Sequence, residues 1–306
     1  MKKTIMIFGI SSFIGSNLLE QLKDEFRIIG TYHKTPVDVP GVTSLPCDVL
    51  RKEYVSSLVA LFRPDVIVYA IGLNSLSTCE QFSKQCEALN TKGAVNCATA
   101  SDRYSSKFIF FSSGFVFNGE NNEVRESETP FPQTTYGKTL SSTEFYIQRS
   151  CLNYVILRCS TIYGRGHGSA SRNWFEQLQY SLVNGDQVIV DDTIHTGFLD
   201  ASILGDAVRV IVKQNISNRL LNLSSQDSLT RYEFAKIYAK IFRKDGGLVQ
   251  PGIGAFPGIM KSDIDDKKPL YFKLNPLTFE ELTGLSMPKI EQSLKLTQKK
   301  WGLLSR

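Results

Sequence analysis

The sequence predicts an α/β fold, a doubly wound parallel sheet with a smaller carboxyl-terminal region, and this prediction depends on two features. The chain opens with a short apolar run, Ile5 to Phe8, which ends at Gly9 and leads into an amphipathic helix. Apolar strand-like runs then alternate with helix-like segments, joined by short connections. Such alternation is typical of right-handed parallel βαβ units. With 306 residues, 42% of them apolar, the chain can form one large domain or two unequal ones.

The first strand and the turn after it predict a nucleotide site. A wholly apolar strand is expected to be buried on both faces of a parallel sheet. Gly9 permits a tight turn, Gly15 allows the helix to pack closely on the strand, and a helix beginning near Phe13 points free N–H groups at a pyrophosphate. A turn of this kind also opens many α/β folds that bind no nucleotide.

Composition excludes several other classes of protein. The net charge is +5 and no Lys/Arg tract is longer than a pair, so nucleic acid is not indicated as a partner. The six cysteines form no C-x-x-C pair, which favours reduced thiols and argues against zinc or a disulfide framework. The apolar run near the start is too short for a signal peptide or a membrane span. We therefore expect a cytoplasmic protein that is not bound to a membrane.

The end of the second strand, residues 27–32, indicates which dinucleotide is bound. NAD sites place an acid at this position to hold the ribose 2′-OH, whereas this chain has His33 and Lys34. NADP is therefore favoured, with NAD as the alternative. A solvated His-Lys pair at a strand end is the competing interpretation.

The next elements continue the alternation. A short strand over residues 45–49 ends near Asp48 and Val49, and a helix follows over residues 54–62. Pro64 precedes a buried strand that ends at residues 70–72, after which a long helix is predicted over residues 79–100. Asn90 lies in the middle of this helix, where a buried carboxamide needs hydrogen-bond partners.

The candidate chemistry lies between residues 107 and 140. A predicted strand over residues 107–117 contains the hydroxyls of Ser112 and Ser113, and Tyr136 opens the next helix. Position 140, which shares a helix face with Tyr136, is a leucine. Lys138 is two residues from Tyr136, about 200° around the helix, so it cannot act on the phenol.

These motifs resemble the extended short-chain dehydrogenase/reductases, which have a Rossmann-type fold. Residues 9–15 match that family's Gly-x-x-Gly-x-x-Gly turn except at Ser12, and residues 90–96 match its Asn-x-x-Gly-x-x-Asn. The resemblance implies that Tyr136 donates a proton to a substrate carbonyl and that Ser113 hydrogen-bonds the same oxygen. It also implies an adenine border at Asp48 and Val49. Leu140 replaces the lysine of the family's Tyr-x-x-x-Lys, which leaves the phenol without its usual cation.

The likeness continues into the second half of the chain. Residues 157–164 match Leu-Arg-x-Ser-x-x-Tyr-Gly, and a polar loop with Arg165 and His167 follows. Nucleotide-sugar epimerases usually carry an arginine near residue 196, but this chain has none there, which puts a phosphate contact in doubt. Residues 245–269 are expected to form a long loop over the substrate. Residues 268–275 resemble the Arg-Pro-x-x-x-x-Leu-Asn stretch of dTDP-4-dehydrorhamnose reductases and their relatives.

The resemblance implies an NADP-dependent reductase of a nucleotide-linked 4-keto-6-deoxy sugar. The alternatives are a non-catalytic NADP-binding protein, such as the reductase-like regulatory subunit of methionine adenosyltransferase, and a nucleotide-sugar epimerase or dehydratase.

Residues 1–165 are expected to bind the dinucleotide and residues 166–306 mostly the substrate, with a strand or two returning to the main sheet. A homodimer is the expected assembly if the protein is not a monomer. The predicted catalytic residues are Ser113 and Tyr136, and the predicted cofactor-binding residues are Gly9, Ser12, Phe13, Ile14, His33, Lys34, Asp48, Val49, Ala70, Ile71, Gly72, Asn90, Ser112, Tyr136 and Cys159.

Overall fold

The centre of the protein is a seven-stranded sheet in which every strand runs parallel to its neighbours. The computed structural model describes residues 2–167, 172–252 and 269–304. The strands of the central sheet are β1 (Thr4–Phe8), β2 (Arg27–Tyr32), β3 (Thr43–Pro46), β4 (Val66–Tyr69), β5 (Lys107–Ser113), β6 (Tyr154–Cys159) and β11 (Arg219–Leu223). The remaining described strands form two-stranded pairs: β7 (Thr161–Tyr163) with β10 (Phe198–Asp200), β8 (Val188–Val190) with β12 (Val249–Pro251), and β9 (Ile194–Thr196) with β13 (Leu270–Phe272).

The spatial order of the main sheet is β11-β6-β5-β4-β1-β2-β3. The chain therefore winds outward in one direction from β1 to β3 and then in the other from β4 to β11. The described α-helices are α1 (Phe13–Leu22), α2 (Lys52–Phe62), α3 (Leu76–Gln81), α4 (Ser83–Glu87), α5 (Ala94–Arg103), α6 (Thr135–Ser150), α7 (Trp174–Asn184), α8 (Ala201–Lys213), α9 (Arg231–Ile241), α10 (Leu277–Thr283) and α11 (Ile290–Leu304). This arrangement confirms the predicted doubly wound, Rossmann-type fold.

Helices cover both faces of the sheet, which explains why its strands are apolar throughout. Ile5 and Ile7 of β1 pack with Leu18 of α1 and Val208 of α8, whereas Met6 packs on the face covered by α2, α5 and α6. All four of the β1 residues from Ile5 to Phe8 are fully buried. At about 25 cal/mol per Å² of apolar surface, burial of this kind is the main favourable term in folding.

The third predicted strand and the long predicted helix differ from the structure. The strand is β3, which ends at Pro46, so Asp48 lies in a turn where its Oδ1 accepts a hydrogen bond from the Leu50 amide at 3.0 Å. Instead of one helix over residues 79–100, the chain forms α3 and α4, a π-helix over Ala88–Gly93, and α5. π-Helices are rare in proteins overall, but those that occur are often at functional sites. This one contains Asn90.

The strand predicted over residues 107–117 is also shorter in the structure. β5 ends at Ser113, where the side chain accepts a hydrogen bond from the Phe115 amide and caps a single 3₁₀ turn, Gly114–Val116. The hydroxyl therefore lies at the last residue of the strand, at the carboxyl edge of the sheet.

The second half of the chain adds a separate aromatic core. Tyr163, Phe175, Phe198, Phe234 and Tyr238 are all buried in it. β11 leaves this half and pairs with β6, with Asn222 opposite Arg158. The predicted loop over residues 245–269 and the Lys268 position of the predicted motif lie mostly or wholly outside the described residues.

Within the described ranges, no helix is both long enough and apolar enough to span a bilayer.

Candidate active site

An open cleft of about 640 Å³ lies at the carboxyl edge of the sheet. This is the edge at which open α/β sheets bind ligands. Eleven of the residues predicted for the site line it: Ser12, Phe13, Ile14, Ala70, Ile71, Gly72, Asn90, Ser112, Ser113, Tyr136 and Cys159. Gly9, His33, Lys34, Asp48 and Val49 lie outside the lining.

The opening turn has the close packing that its glycines predict. Gly9 adopts a φ of +87°, and a Cβ there would lie 2.5 Å from the Ile71 side chain. A Cβ on Gly15 would lie 2.1 Å from the Gly9 carbonyl oxygen. Residues with side chains therefore cannot replace either glycine without moving the backbone. The turn brings the first residues of α1 to the cleft, where they fit a dinucleotide diphosphate.

Ser12 is the N-cap of α1. Its Oγ accepts a hydrogen bond from the Gly15 amide at 3.0 Å. That N–H is one of the few at a helix start that have no partner within the helix and can bind an anion. The Ser12 hydroxyl therefore takes up the Gly15 N–H, which a glycine at position 12 would leave free to bind phosphate.

We expect a Ser12→Gly variant to bind NADPH about 3- to 10-fold more tightly, because a neutral hydrogen bond contributes about 0.5–1.5 kcal/mol and the Gly15 N–H becomes available to phosphate. Glycine costs little at an N-cap, so the fold is retained. The measurement is the dissociation constant by fluorescence titration, with Ser11→Gly as the matched control. Weaker binding in Ser12→Gly alone contradicts this expectation and indicates that the serine hydroxyl itself contacts phosphate.

The residues predicted to select the cofactor follow β2, and those predicted to border the adenine follow β3. His33 and Lys34 are both exposed immediately after β2. Val49 is buried, and its carbonyl accepts a hydrogen bond from the Asn96 side chain at 2.9 Å. The structure thus fixes the backbone at Val49 and leaves two basic side chains in solvent. Their contacts with a cofactor stay a prediction.

Asn90 connects the π-helix to the end of β4. Its Oδ1 accepts from the Leu73 amide at 2.8 Å, and its Nδ2 donates to the Leu73 carbonyl at 2.9 Å. A Cβ on Gly72 would lie 2.9 Å from Asn90 Oδ1. The Asn90 carboxamide can therefore approach the backbone this closely only because residue 72 is a glycine. Its two hydrogen bonds hold the backbone of Leu73 at the edge of the cleft.

Ser113 and Tyr136 meet in the cleft although they are 23 residues apart in the sequence. Thr134 caps α6 by accepting from the Gly137 amide at 3.0 Å, which fixes the first turn that contains Tyr136. Burial raises the pKa of the Tyr136 phenol above its ordinary value, and the neighbouring Ser113 side chain acts in the opposite direction. The pair can therefore present two hydroxyl groups to one substrate oxygen.

Leu140 lines the cleft one helical turn after Tyr136 and is 5% exposed. Lys138 is exposed to solvent on another side of α6. In the described part of the chain, no lysine or arginine hydrogen-bonds the Tyr136 phenol, and none contributes to its pKa. The phenol therefore keeps a high pKa.

No local pattern in the sequence indicates how α6 is held in place. Thr143 Oγ1 donates to the Asn90 carbonyl at 3.0 Å. Arg158 of β6 forms a bidentate ion pair with Glu144 of α6, with Nη2 to Oε2 at 2.7 Å and Nε to Oε1 at 3.0 Å. Both side chains are at most 2% exposed. Arg158 was visible in the sequence as part of a motif, but its partner lies on another element and no local pattern identifies it.

The second half of the chain supplies residues that the sequence did not single out as ligands. Arg172, Trp174, Gln177 and Arg231 all line the cleft. Arg231 is the first residue of α9, directly after a capping box formed by Thr230 and Glu233. The capping box was predictable, but the direction of the arginine side chain depends on tertiary packing.

The parallel sheet, the glycine turn at α1 and the paired Ser113 and Tyr136 define the class of extended short-chain dehydrogenase/reductases. Residues 1–300 match the family described as RmlD substrate binding domain, and the chain belongs to that family. This confirms the predicted family.

Curated relatives are similar at low identity. A dTDP-4-dehydrorhamnose reductase of Aggregatibacter actinomycetemcomitans is 23% identical over 237 residues, which cover 76% of each chain. The methionine adenosyltransferase 2 subunit beta of Bos taurus is 25% identical over 215 residues, covering 67% of this chain and 62% of that protein.

Solved structures show the same fold. A dTDP-4-dehydrorhamnose reductase from Bacillus anthracis in complex with NADP has a TM-score of 0.84 at 21% identity and covers 98% of this chain and 100% of its own. The Bordetella bronchiseptica enzyme WbmG in complex with NAD has a TM-score of 0.80 at 16% identity, and the match covers 99% of this chain and 96% of that enzyme. The cofactors in these complexes agree with the prediction of NADP, with NAD as the alternative.

Proposed function

We propose that this protein is an NADP-dependent reductase of a nucleotide-linked 4-keto-6-deoxy sugar. The observation that carries the proposal is that Ser113 and Tyr136 lie together in the wall of the cleft. Tyr136 protonates the carbonyl oxygen as the carbonyl is reduced, and Ser113 hydrogen-bonds the same oxygen. NADPH, when bound, supplies the hydride.

Burial keeps the Tyr136 phenol protonated at neutral pH. A general acid must be protonated, and a phenol with a pKa above its ordinary value of about 10 is fully protonated at neutral pH. An epimerase that first oxidises an alcohol needs the phenolate as a base, and burial makes the phenolate scarce. The phenol is therefore in the protonated form that the proposed reduction uses.

The proposal assigns the dinucleotide to residues 1–165 and most of the substrate contacts to residues 166–306. The α1 turn takes the diphosphate, His33 and Lys34 take the 2′-phosphate of NADP, and Asp48 and Val49 border the adenine. The small residues at 70–72, together with Ser112 and Cys159, face the nicotinamide half. The name of the bacterial reductase relative supports the nucleotide-sugar substrate. A homodimer and a cytoplasmic location are part of the same proposal.

A non-catalytic dinucleotide-binding protein is the second candidate, and Leu140 is the observation that favours it. The uncharged side chain brings no cation to Tyr136 and offers the nicotinamide ribose no hydrogen bond. The similarity to a protein named as a subunit of methionine adenosyltransferase supports a binding role of this kind.

The deciding experiment follows NADPH oxidation with dTDP-linked and UDP-linked 4-keto-6-deoxy sugars, using Tyr136→Phe as the control. We expect turnover that falls about 10²- to 10⁴-fold in Tyr136→Phe, the usual range for removing a general acid. Turnover equal to that of the control contradicts the reductase and leaves the binding protein. If neither NADPH nor NADH changes the protein fluorescence or melting temperature, both candidates fail.

A further inference from the structure

Glu80 of α3 contacts the first residue of α6, which directly precedes Tyr136. Its Oε1 accepts a hydrogen bond from the Thr135 amide, and its Oε2 accepts one from the Thr135 hydroxyl, each at 2.7 Å. One carboxylate therefore binds both the backbone and the side chain of the same residue. Hydrogen bonds to a carboxylate are roughly twice as strong as those between neutral groups.

A carboxylate suits the start of a helix for a general reason. The first N–H groups of a helix have no acceptor within it, and the helix dipole places partial positive charge there. Glu80 accepts from the Thr135 amide, and Thr134 accepts from the Gly137 amide at 3.0 Å. Side chains thus hold the backbone of the first turn of α6 immediately before and immediately after Tyr136.

The same turn packs against the chain that follows Ser113. A Cβ on Gly137 would lie 2.0 Å from the Phe115 carbonyl oxygen, so the backbone of α6 lies directly against the 3₁₀ turn after β5. The Phe115 amide in turn donates to Ser113 Oγ at 3.4 Å. Because Tyr136 lies between Thr135 and Gly137, its position relative to Ser113 depends on what holds both neighbours.

The helix that carries Glu80 is anchored at the cleft. Residues 73–76 line the cleft at the start of α3. Leu76 and Cys79 are buried, and Cys79 Sγ donates to the Leu73 carbonyl at 3.4 Å. Glu80 itself is exposed and lies outside the cleft lining. Substitutions at exposed positions usually change stability little, so the effect of Glu80 on the site can be measured in a folded protein.

We propose that Glu80 is a positioning residue for Tyr136. By binding Thr135 it fixes the first turn of α6, and so it keeps the Tyr136 phenol beside Ser113 without touching the substrate. The inference rests on the proposed function, because it takes Tyr136 to be the proton donor. A displacement of about 1 Å caused by a change away from the chemistry can cost about 10²-fold in rate.

The first measurement needs no turnover. Tyrosine that is isotopically labelled at its ζ carbon reports the environment of each phenol by NMR. Among the twelve tyrosines, the Tyr136 signal is the one that disappears in Tyr136→Phe. In Glu80→Ala we expect this signal to move or broaden, because the phenol is no longer fixed beside Ser113. Thr135→Ala, which keeps the N–H and removes the hydroxyl, should give a smaller change in the same direction.

The second measurement compares steady-state rates. Glu80→Ala should lower kcat about 10- to 100-fold and leave KM and the NADPH dissociation constant unchanged, because Glu80 lies outside the cleft lining. Glu80→Gln should keep most of the rate and the wild-type Tyr136 signal, since its amide oxygen still accepts from the Thr135 N–H. In a Tyr136→Phe background, Glu80→Ala should cause no further loss, a dependence that a general weakening of the fold does not produce.

Gln81→Ala is the matched control, since Gln81 is the exposed neighbour of Glu80 on the same helix, and it should keep the wild-type signal and rate. Melting temperatures equal to that of the wild type establish that the variants are folded. A Tyr136 signal that is unchanged in Glu80→Ala overturns the inference, as does a wild-type kcat in that variant. If the signal moves in Glu80→Ala while the wild type reduces no keto sugar, the positioning role holds and the proposed reductase fails. If the wild type turns over and Glu80→Ala keeps both its signal and its kcat, the reductase holds and the inference fails.

Discussion

A Leu140→Lys variant is expected to reduce its keto sugar at least about 10-fold faster than the wild type, since each unit of pKa corresponds to about 1.36 kcal/mol of differential stabilisation. Leu140 lies one helical turn from Tyr136 and already lines the cleft, so an ammonium group at that position acts on the phenol. The added charge lowers the phenol pKa, which burial now raises. It also offers hydrogen bonds to the nicotinamide ribose.

The pH profile separates this effect from a general change in activity. Reduction needs the protonated phenol, so the rate falls as pH rises through the pKa of Tyr136. In the wild type that pKa lies above the ordinary value of about 10, and we expect no alkaline fall below about pH 9. In Leu140→Lys the fall should move to lower pH, and the reverse oxidation, which needs the phenolate, should become measurable. Initial rates in both directions across pH 6 to 10 test this.

Leu140→Met is the control, because it conserves volume and adds no charge. An equal gain in the methionine and lysine variants means that packing, and not charge, changed the rate. Unchanged activity in Leu140→Lys, in a protein that still binds NADPH, contradicts an otherwise intact catalytic site and favours the binding protein.

The sequence predicted the central fold because each of its signals is local. A four-residue apolar run before Gly9 and the spacing of Gly9 and Gly15 were enough to locate the turn, and its geometry agrees with that prediction. The spacing of Tyr136, Lys138 and Leu140 around one helix predicted that the family's lysine is missing beside the phenol, and the structure places Leu140 in the cleft wall and Lys138 in solvent.

The remaining features could not be predicted because they depend on contacts between distant residues. The π-helix at Ala88–Gly93 places the Asn90 side chain on the backbone of Leu73, which no periodicity in the sequence specifies. Arg231 lines the cleft two residues after Leu229, which pairs with the distant Thr196. The ion pair of Glu144 and Arg158 joins a helix to a strand, and neither residue has a local signal for the other.

This ion pair is expected to make Glu144→Gln one of the most destabilising single substitutions in the protein, by about 3–5 kcal/mol. The two side chains are only 1–2% exposed, and the Arg158 guanidinium carbon lies 4.9 Å from the centroid of the Phe117 ring. Removing the carboxylate leaves a buried guanidinium without its counter-charge. The measurement is the free energy of unfolding from urea denaturation.

The exposed pair Glu291 and Lys295 provides the matched control, since both side chains are more than half exposed. Glu291→Gln should cost less than about 1 kcal/mol, as exposed pairs usually do.

Replacing both partners, as in Glu144→Met with Arg158→Met, should recover much of the lost stability, because an apolar pair removes the uncompensated charge. A double variant less stable than Glu144→Gln contradicts that account. It would indicate that Arg158 also contributes to stability through contacts other than the ion pair, such as the one with the Phe117 ring.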